Sequence, residues 1–208
     1  MSAIDKVRSE EITAVILAGG EGSRMGGIDK GLLELNGQPL IKHVMARIAP
    51  QVAQLIISAN RNVERYQSYG YPVITDQMTD KGPLAGILSA LQHCQSEWLL
   101  TIPCDTPRIP TDLVVRLCNA AEQTTQQTLA ALYTAHDGEQ LQPLFSMIHR
   151  DLATSLQHYL AAGNRKVARW LVQQGCVAVD FADQPDAFAN INTPEMLAQC
   201  SASPEQGH

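Results

Sequence analysis

At 208 residues, 45% of them hydrophobic, the chain has enough apolar material to fill the core of one generous domain. A formal charge of −6 argues against a surface that grips nucleic acid or anionic membrane, because both demand a broad basic field; an anionic ligand has to be met locally. The five cysteines are scattered without paired spacing, which points away from a disulfide framework and from a zinc site.

The opening MSAIDKVRSEE lacks the apolar core of a secretion signal, and no later run approaches the ~20 apolar residues of a membrane span. The expectation is a cytoplasmic protein. Ile12 to Leu17 is a short apolar and β-branched run ended by Gly19 and Gly20, a buried strand delivered into a glycine loop. After Asn36-Gly37 the spacing predicts a helix with Pro39 near its first turn, with Ile41, Val44, Met45 and Ile48 on one face and Pro50 as its stop. Leu55 to Ser58 and Val73 to Thr75 read as strands, and Gly82-Pro83 opens a helix carrying Leu84, Ile87, Leu88 and Leu91. Trp98 to Ile102 is a fourth strand, followed by a helix from Leu113 to Cys118.

Beyond it, Leu129 to Tyr133 and Leu144 to Ile148 look like strands joined by the turn-rich AHDGEQ. Leu152 to Leu160 and Val167 to Val172 read as helices, Val177 to Phe181 as a strand and Pro194 to Cys200 as a last helix; residues 201–208 read as a disordered tail. Alternation of strand and helix with short connections is the signature of an α/β fold. The expectation is one domain over 1–208, with a mostly parallel, Rossmann-like sheet and helices on both faces.

In such a sheet ligands collect outside the carboxyl ends of the strands, where helix N-termini aim free N–H groups. That rule selects the loop after Leu17-Ala18, Asp76 after the third strand, the Gly82-Pro83-Leu84-Ala85-Gly86 helix start, and Pro103-Cys104-Asp105-Thr106-Pro107. The glycine loop is neither a P-loop, since Gly26-Gly27 runs into Ile28, nor a dinucleotide fingerprint, since Gly26 comes one residue late. What remains is bare backbone able to approach phosphate or a base edge, with Arg24 to fork onto phosphate and Lys30 to neutralise as a point charge.

Leu17-Ala18-Gly19-Gly20, Arg24-Met25-Gly26, Asp29-Lys30, the Gly82 to Gly86 and Pro103 to Pro107 segments, and Asn190-Ile191-Asn192-Thr193-Pro194 together resemble the molybdenum cofactor guanylyltransferase family, of the nucleotide-diphospho-sugar transferase-like fold. The similarity spans roughly Thr13 to Ala198. The resemblance implies GTP on Leu17, Ala18, Gly19 and Gly20, Lys30 on the triphosphate, Asp76 near guanine or ribose, and Asp105 binding Mg²⁺. It implies molybdopterin on Arg24, Gly27, Arg165, Asn190 and Asn192. Lys30, Asp105 and Arg24 would carry catalysis. The implied division gives residues 12–110 the nucleotide and 111–200 the pterin, with molybdoenzymes or their chaperones as acceptors of the product. One departure stands out: relatives often end the second strand in Asn-Ala-Asn, where this chain reads Ser58-Ala59-Asn60.

Plainer readings stand beside these. Asp105 between two prolines is also a turn or cap residue, Asp76 a strand-end turn residue, Arg165-Lys166 a solvated pair, and Asn190 and Asn192 Asx-turn residues before Pro194. Cytidylyl transfer, nucleotidyl transfer to a sugar phosphate and a non-catalytic pterin carrier are the competing functions.

Overall fold

The computed structural model describes residues 8–18, 29–76, 82–124, 132–192, 196–197 and 200. Seven strands among them form one sheet in the order β5-β4-β1-β6-β8-β7-β9. In its interior β1 (Ile12–Leu17) pairs in parallel with β4 (Gln54–Ser58) and β6 (Trp98–Pro103). The short β5 (Val73–Ile74) adds in parallel to β4 at one edge. At the other, β8 (Leu141–His149) runs against both β6 and β7 (Leu132–His136), and β9 (Val177–Asp180) closes the edge parallel to β7. The sheet is therefore mostly parallel, with β8 as its reversed strand.

Side-chain alternation along the central strands builds two cores, one per face. Ile12, Ala14 and Ile16 of β1, with Leu55 and Ile57 of β4 and Leu100 and Ile102 of β6, face α1 (Leu40–Ile48) and α4 (Leu113–Thr124). Val15, Ile56 and Leu99 face the opposite way, onto α3 (Pro83–His93), α5 (Ala153–Ala161) and α6 (Val167–Gln173). Amphipathic helices at every crossover are what a sheet buried on both sides requires. Among the described residues no helix is long and apolar enough to cross a membrane.

The elements read from the sequence recur with shifted bounds. Asn36-Gly37 is the loop of a small hairpin, β2 (Glu34–Leu35) with β3 (Gln38–Pro39), and both loop residues have positive φ, 52° and 75°. Pro39 is the residue that caps the start of α1, next to its first turn as expected. The α-helix stops at Ile48, just before Pro50 as expected, and Ala49–Gln51 follow as a 3₁₀ turn. The helix predicted to Cys118 runs on to Thr124, and the AHDGEQ connection loses Ala135 and His136 to β7. The sequence reading omitted α2 (Val63–Gln67), whose five residues are too few for a periodic signal. Residues 129–131 and 201–208 lie outside the described residues, as do 194, 195, 198 and 199 of the last predicted helix, in which Met196, Leu197 and Cys200 are helical.

β8 carries the largest irregularity of the sheet. Thr134 faces Ser146 whereas Ala135 faces Gln142, so the register breaks across Pro143, Leu144 and Phe145. The Ser146 hydroxyl lies 2.9 Å from that of Thr134, and the Thr101 hydroxyl donates to the Leu144 carbonyl at 3.0 Å, which satisfies polar groups the break would otherwise strand. Phe145 meets Phe188 edge-on at 4.9 Å, and Phe188 in turn meets Phe181. The break thus anchors the segment that leads to Asn190 and Asn192.

Candidate functional site

The carboxyl ends of β1, β4, β5 and β6 open at one mouth, and Leu17-Ala18 lies at its centre. The Ala18 amide donates to the Ser58 carbonyl at 2.8 Å, and the Cys104 amide donates to Leu17 at 3.2 Å, so the exit of β1 is stitched to both neighbours. Gly19, Gly20, Arg24 and Gly27, the remainder of the expected glycine loop, lie outside the described residues.

On the β6 side, Lys30 and Asp105 form an ion pair, Nζ to Oδ2, of 3.1 Å. The same ammonium donates to the side-chain oxygen of Asn192. Three residues from distant parts of the chain therefore converge. Asp105 is 7% exposed, at the end of a wholly buried strand. Its carbonyl accepts from the Ile191 amide at 2.9 Å, and the Thr106 hydroxyl donates to the Asn190 side chain at 2.6 Å. The 190–192 segment is thus strapped across the end of β6, with Ile191 sunk against Leu35 and Leu40.

The placement of Lys30 comes from its neighbours on both sides. Asp29 accepts from the buried Tyr66 hydroxyl and, at 2.9 Å, from the Asn62 amide, so α2 and the turn before it hold the residue preceding the lysine. Behind the residue that follows it, a Cβ on Gly31 would lie 2.6 Å from the Tyr66 oxygen and 3.3 Å from the Cβ of Cys104; only a bare backbone fits there. Burial, then the bond to Asp29, pushes the Tyr66 phenol far up, and burial beside Asp105 and Asp29 does the same to the Cys104 thiol. Both groups stay protonated, Tyr66 as a donor and Cys104 as packing.

On the β5 side, Asp76 is held by neutral groups. Its Oδ1 accepts from Ser58 at 3.1 Å and its Oδ2 from the Asn60 amide at 2.9 Å, while its own N–H donates to the Asn60 oxygen at 2.8 Å. The Ser58-Ala59-Asn60 departure therefore has a local use. Gly86, in the first turns of α3, backs this cluster, since a Cβ there would lie 2.6 Å from the Ser58 oxygen and 3.4 Å from Asp76.

The expected residues thus fall into groups. Lys30, Asp105 and Asn192 meet directly, Asn190 is joined to them through Thr106, and Asp76 forms a second group across Leu17-Ala18. Arg165 precedes α6, where its guanidinium donates to the carbonyls of Asn164 at 2.8 Å and Leu160 at 3.4 Å. Sequence reasoning missed Thr106, Tyr66 and Asn62 as supports. The threonine was legible in Pro103-Cys104-Asp105-Thr106-Pro107; the other two act through folding contacts that no local pattern announces.

A buried carboxylate, a lysine, amide side chains and the start of a helix around one cleft can bind and align polyphosphate. A family model described as "MobA-like NTP transferase domain" matches residues 14–177. The chain is 48% identical over 194 residues to the molybdenum cofactor guanylyltransferase of Shewanella loihica, covering 93% of this chain and 97% of the relative. It is 50% identical over 189 residues to the protein of that name in Shewanella putrefaciens, covering 90% and 95%. Among solved structures, molybdopterin-guanine dinucleotide biosynthesis protein A from Archaeoglobus fulgidus shares the fold with a TM-score of 0.75 at 24% identity, covering 91% of this chain and 96% of that one.

Proposed function

This chain belongs to the MobA-like NTP transferase family and is a nucleotidyltransferase, and from that premise we propose that it transfers GMP from GTP to the terminal phosphate of molybdopterin. A phosphate oxygen of the pterin attacks the α-phosphorus of GTP. The new O–P bond forms as the bond to the β-phosphate oxygen breaks, and pyrophosphate leaves with that electron pair. The product is molybdopterin guanine dinucleotide, passed on to molybdoenzymes or their chaperones in the cytoplasm.

The observation that supports this reading most is the meeting of Lys30, Asp105 and Asn192 at the mouth of a parallel sheet. Two anions must be brought together, so the chain's task is neutralisation and alignment rather than covalent catalysis. Lys30 stabilises charge on the departing pyrophosphate. Asn190 and Asn192, with Arg165 and the expected Arg24 and Gly27, receive the pterin, while Leu17, Ala18, Gly19, Gly20 and Asp76 receive the nucleotide. Residues 12–110 and 111–200 divide along those lines. A phosphate nucleophile is already ionised near neutral pH, so no general base is required.

The donor set fits Mg²⁺. Asp105 offers the hard oxygen that such an ion prefers, and Mg²⁺ ordinarily takes most of its remaining ligands from phosphates and water. When bound there, Mg²⁺ supplies charge neutralisation on the phosphate oxygens.

The test is pyrophosphate release from GTP, CTP, ATP and UTP with Mg²⁺ and molybdopterin as acceptor. A clear GTP preference is expected. Release from CTP at an equal or higher rate overturns the guanylyl assignment, and nucleotide binding without release identifies a carrier.

A further inference from the structure

We infer that Asn60, assisted by Ser58, is a positioning residue that fixes the carboxylate of Asp76 to read the donor edge of guanine. The inference rests on the GTP-dependent reaction proposed above. Asp76 follows a two-residue edge strand, where a carboxylate would ordinarily swing freely. Here it does not. The ladder between β4 and β5 ends where the Ala59 amide donates to Ile74 at 3.0 Å, and the Asn60 side chain continues it by one step, accepting from the Asp76 N–H and donating to the Asp76 carboxylate. Ser58, 2% exposed, holds the other oxygen, and bare Gly86 closes the back of the cluster.

The remaining acceptor capacity defines the ligand. A carboxylate offers about four lone-pair sites. Ser58 and Asn60 fill one on each oxygen. Among the described residues no other side chain is seen to fill the second site on each oxygen, and the complement of two such sites is a pair of adjacent donors. Guanine presents such a pair, N1–H and the exocyclic amine; cytosine presents acceptors at the corresponding positions. Among the described residues both side chains that donate to Asp76 are neutral. A rigidly oriented carboxylate discriminates between base edges, whereas a swinging one supplies only charge.

The experiment measures binding of GTP, inosine triphosphate and 2′-deoxy-GTP, each with Mg²⁺, by calorimetry on the intact protein, and needs no pterin. Inosine keeps N1–H but lacks the exocyclic amine. Wild type should bind it about tenfold more weakly than GTP, the worth of one hydrogen bond to a charged group. Asn60→Ala should weaken GTP about tenfold and inosine triphosphate far less, so that the two affinities converge. Ser58→Ala should do the same to a smaller degree, and 2′-deoxy-GTP should track GTP throughout. Asn60 is exposed, and an unchanged melting temperature of Asn60→Ala separates positioning from folding. An undiminished preference for GTP over inosine triphosphate in Asn60→Ala overturns the inference alone. Discrimination against 2′-deoxy-GTP in place of inosine triphosphate also overturns it, assigning Asp76 to the ribose. A wild type that binds CTP as tightly as GTP overturns the proposed function itself.

Discussion

Asp105 ends a buried central strand and accepts from a lysine, whereas Asp76 follows a short edge strand and accepts from a hydroxyl and an amide. The contrast separates a contact made to be exchanged from one made to persist. Lys30 keeps 31% of its side chain exposed, and an ion pair with that much solvent access is worth of the order of 1 kcal/mol net. A nucleotide bound at micromolar affinity would bring about 8 kcal/mol, so on the proposed reading an arriving triphosphate would draw the ammonium away. Neutral short-range partners behave differently, since neither Ser58 nor Asn60 has a charge that a phosphate could recruit.

The comparison can be broken most forcefully at the exchangeable end. Lys30→Ala and Asp105→Asn should each lower turnover roughly a hundredfold to a thousandfold, as removal of a group that stabilises developing charge does. Pyrophosphate release measures this, and near-normal turnover in either variant removes that residue from the chemistry.

A smaller effect is expected from the two bare backbones, one at each carboxylate. Gly31→Ala sets a methyl 2.6 Å from the oxygen of Tyr66, a fully buried side chain with nowhere to go, and should cost ~1–3 kcal/mol of stability in urea unfolding. Gly86→Ala meets the Ser58 hydroxyl at the same 2.6 Å, but a hydroxyl can rotate; its cost should be nearer ~1 kcal/mol, with weakened GTP binding as the main sign. If Gly86→Ala proves the more destabilising of the two, the β5 side is the tighter one and the contrast reverses.

The smallest effect belongs to a support remote from either carboxylate. Arg116 of α4 forks onto Asp183 and lies 4.0 Å over the ring of Phe181, tying down the chain that leads to Asn190. The hydrogen bond from Arg116 is the main cause that holds the Asp183 carboxyl below the ordinary value of 3.8. A depressed carboxylate stabilises the fold above its unfolded pKa and loses that contribution as pH falls through the folded one. Arg116→Ala should therefore melt at a lower temperature than wild type near neutrality, with the gap narrowing as the pH is taken down into the acid range where Asp183 is protonated. A gap that stays constant on acidification would mean that stacking on Phe181, and not the ion pair, carries the effect.

Much of this architecture was legible in the sequence because it follows from repeating patterns. The apolar run of β1 and the Pro-initiated, periodically apolar α3 carry their own signals, and the rule that ligands gather at carboxyl ends of parallel strands selected Asp76 and Asp105 before any contact was known. The reversal of β8 left no mark in periodicity, which says nothing about direction, and only the shortness of the AHDGEQ connection, too brief for a parallel crossover, carried it. The grip of Tyr66 on Asp29, which joins residues 37 positions apart, was not legible. Ser58 is the instructive case. Set beside relatives it stood out as a shortened asparagine, yet its hydroxyl reaches Asp76 while sitting against Gly86, where a bulkier side chain would compete for the same space.

Lys30 answers to two segments, 75 and 162 positions further along the chain. On the proposed reading, an ammonium drawn onto a triphosphate would let go of Asn192, so the order in which the two reactants arrive would be felt at both ends of the mouth. Thermodynamic reciprocity then applies: whatever factor the nucleotide imposes on pterin affinity, the pterin returns on the nucleotide. One shared side chain suffices for that conversation, without any domain having to move.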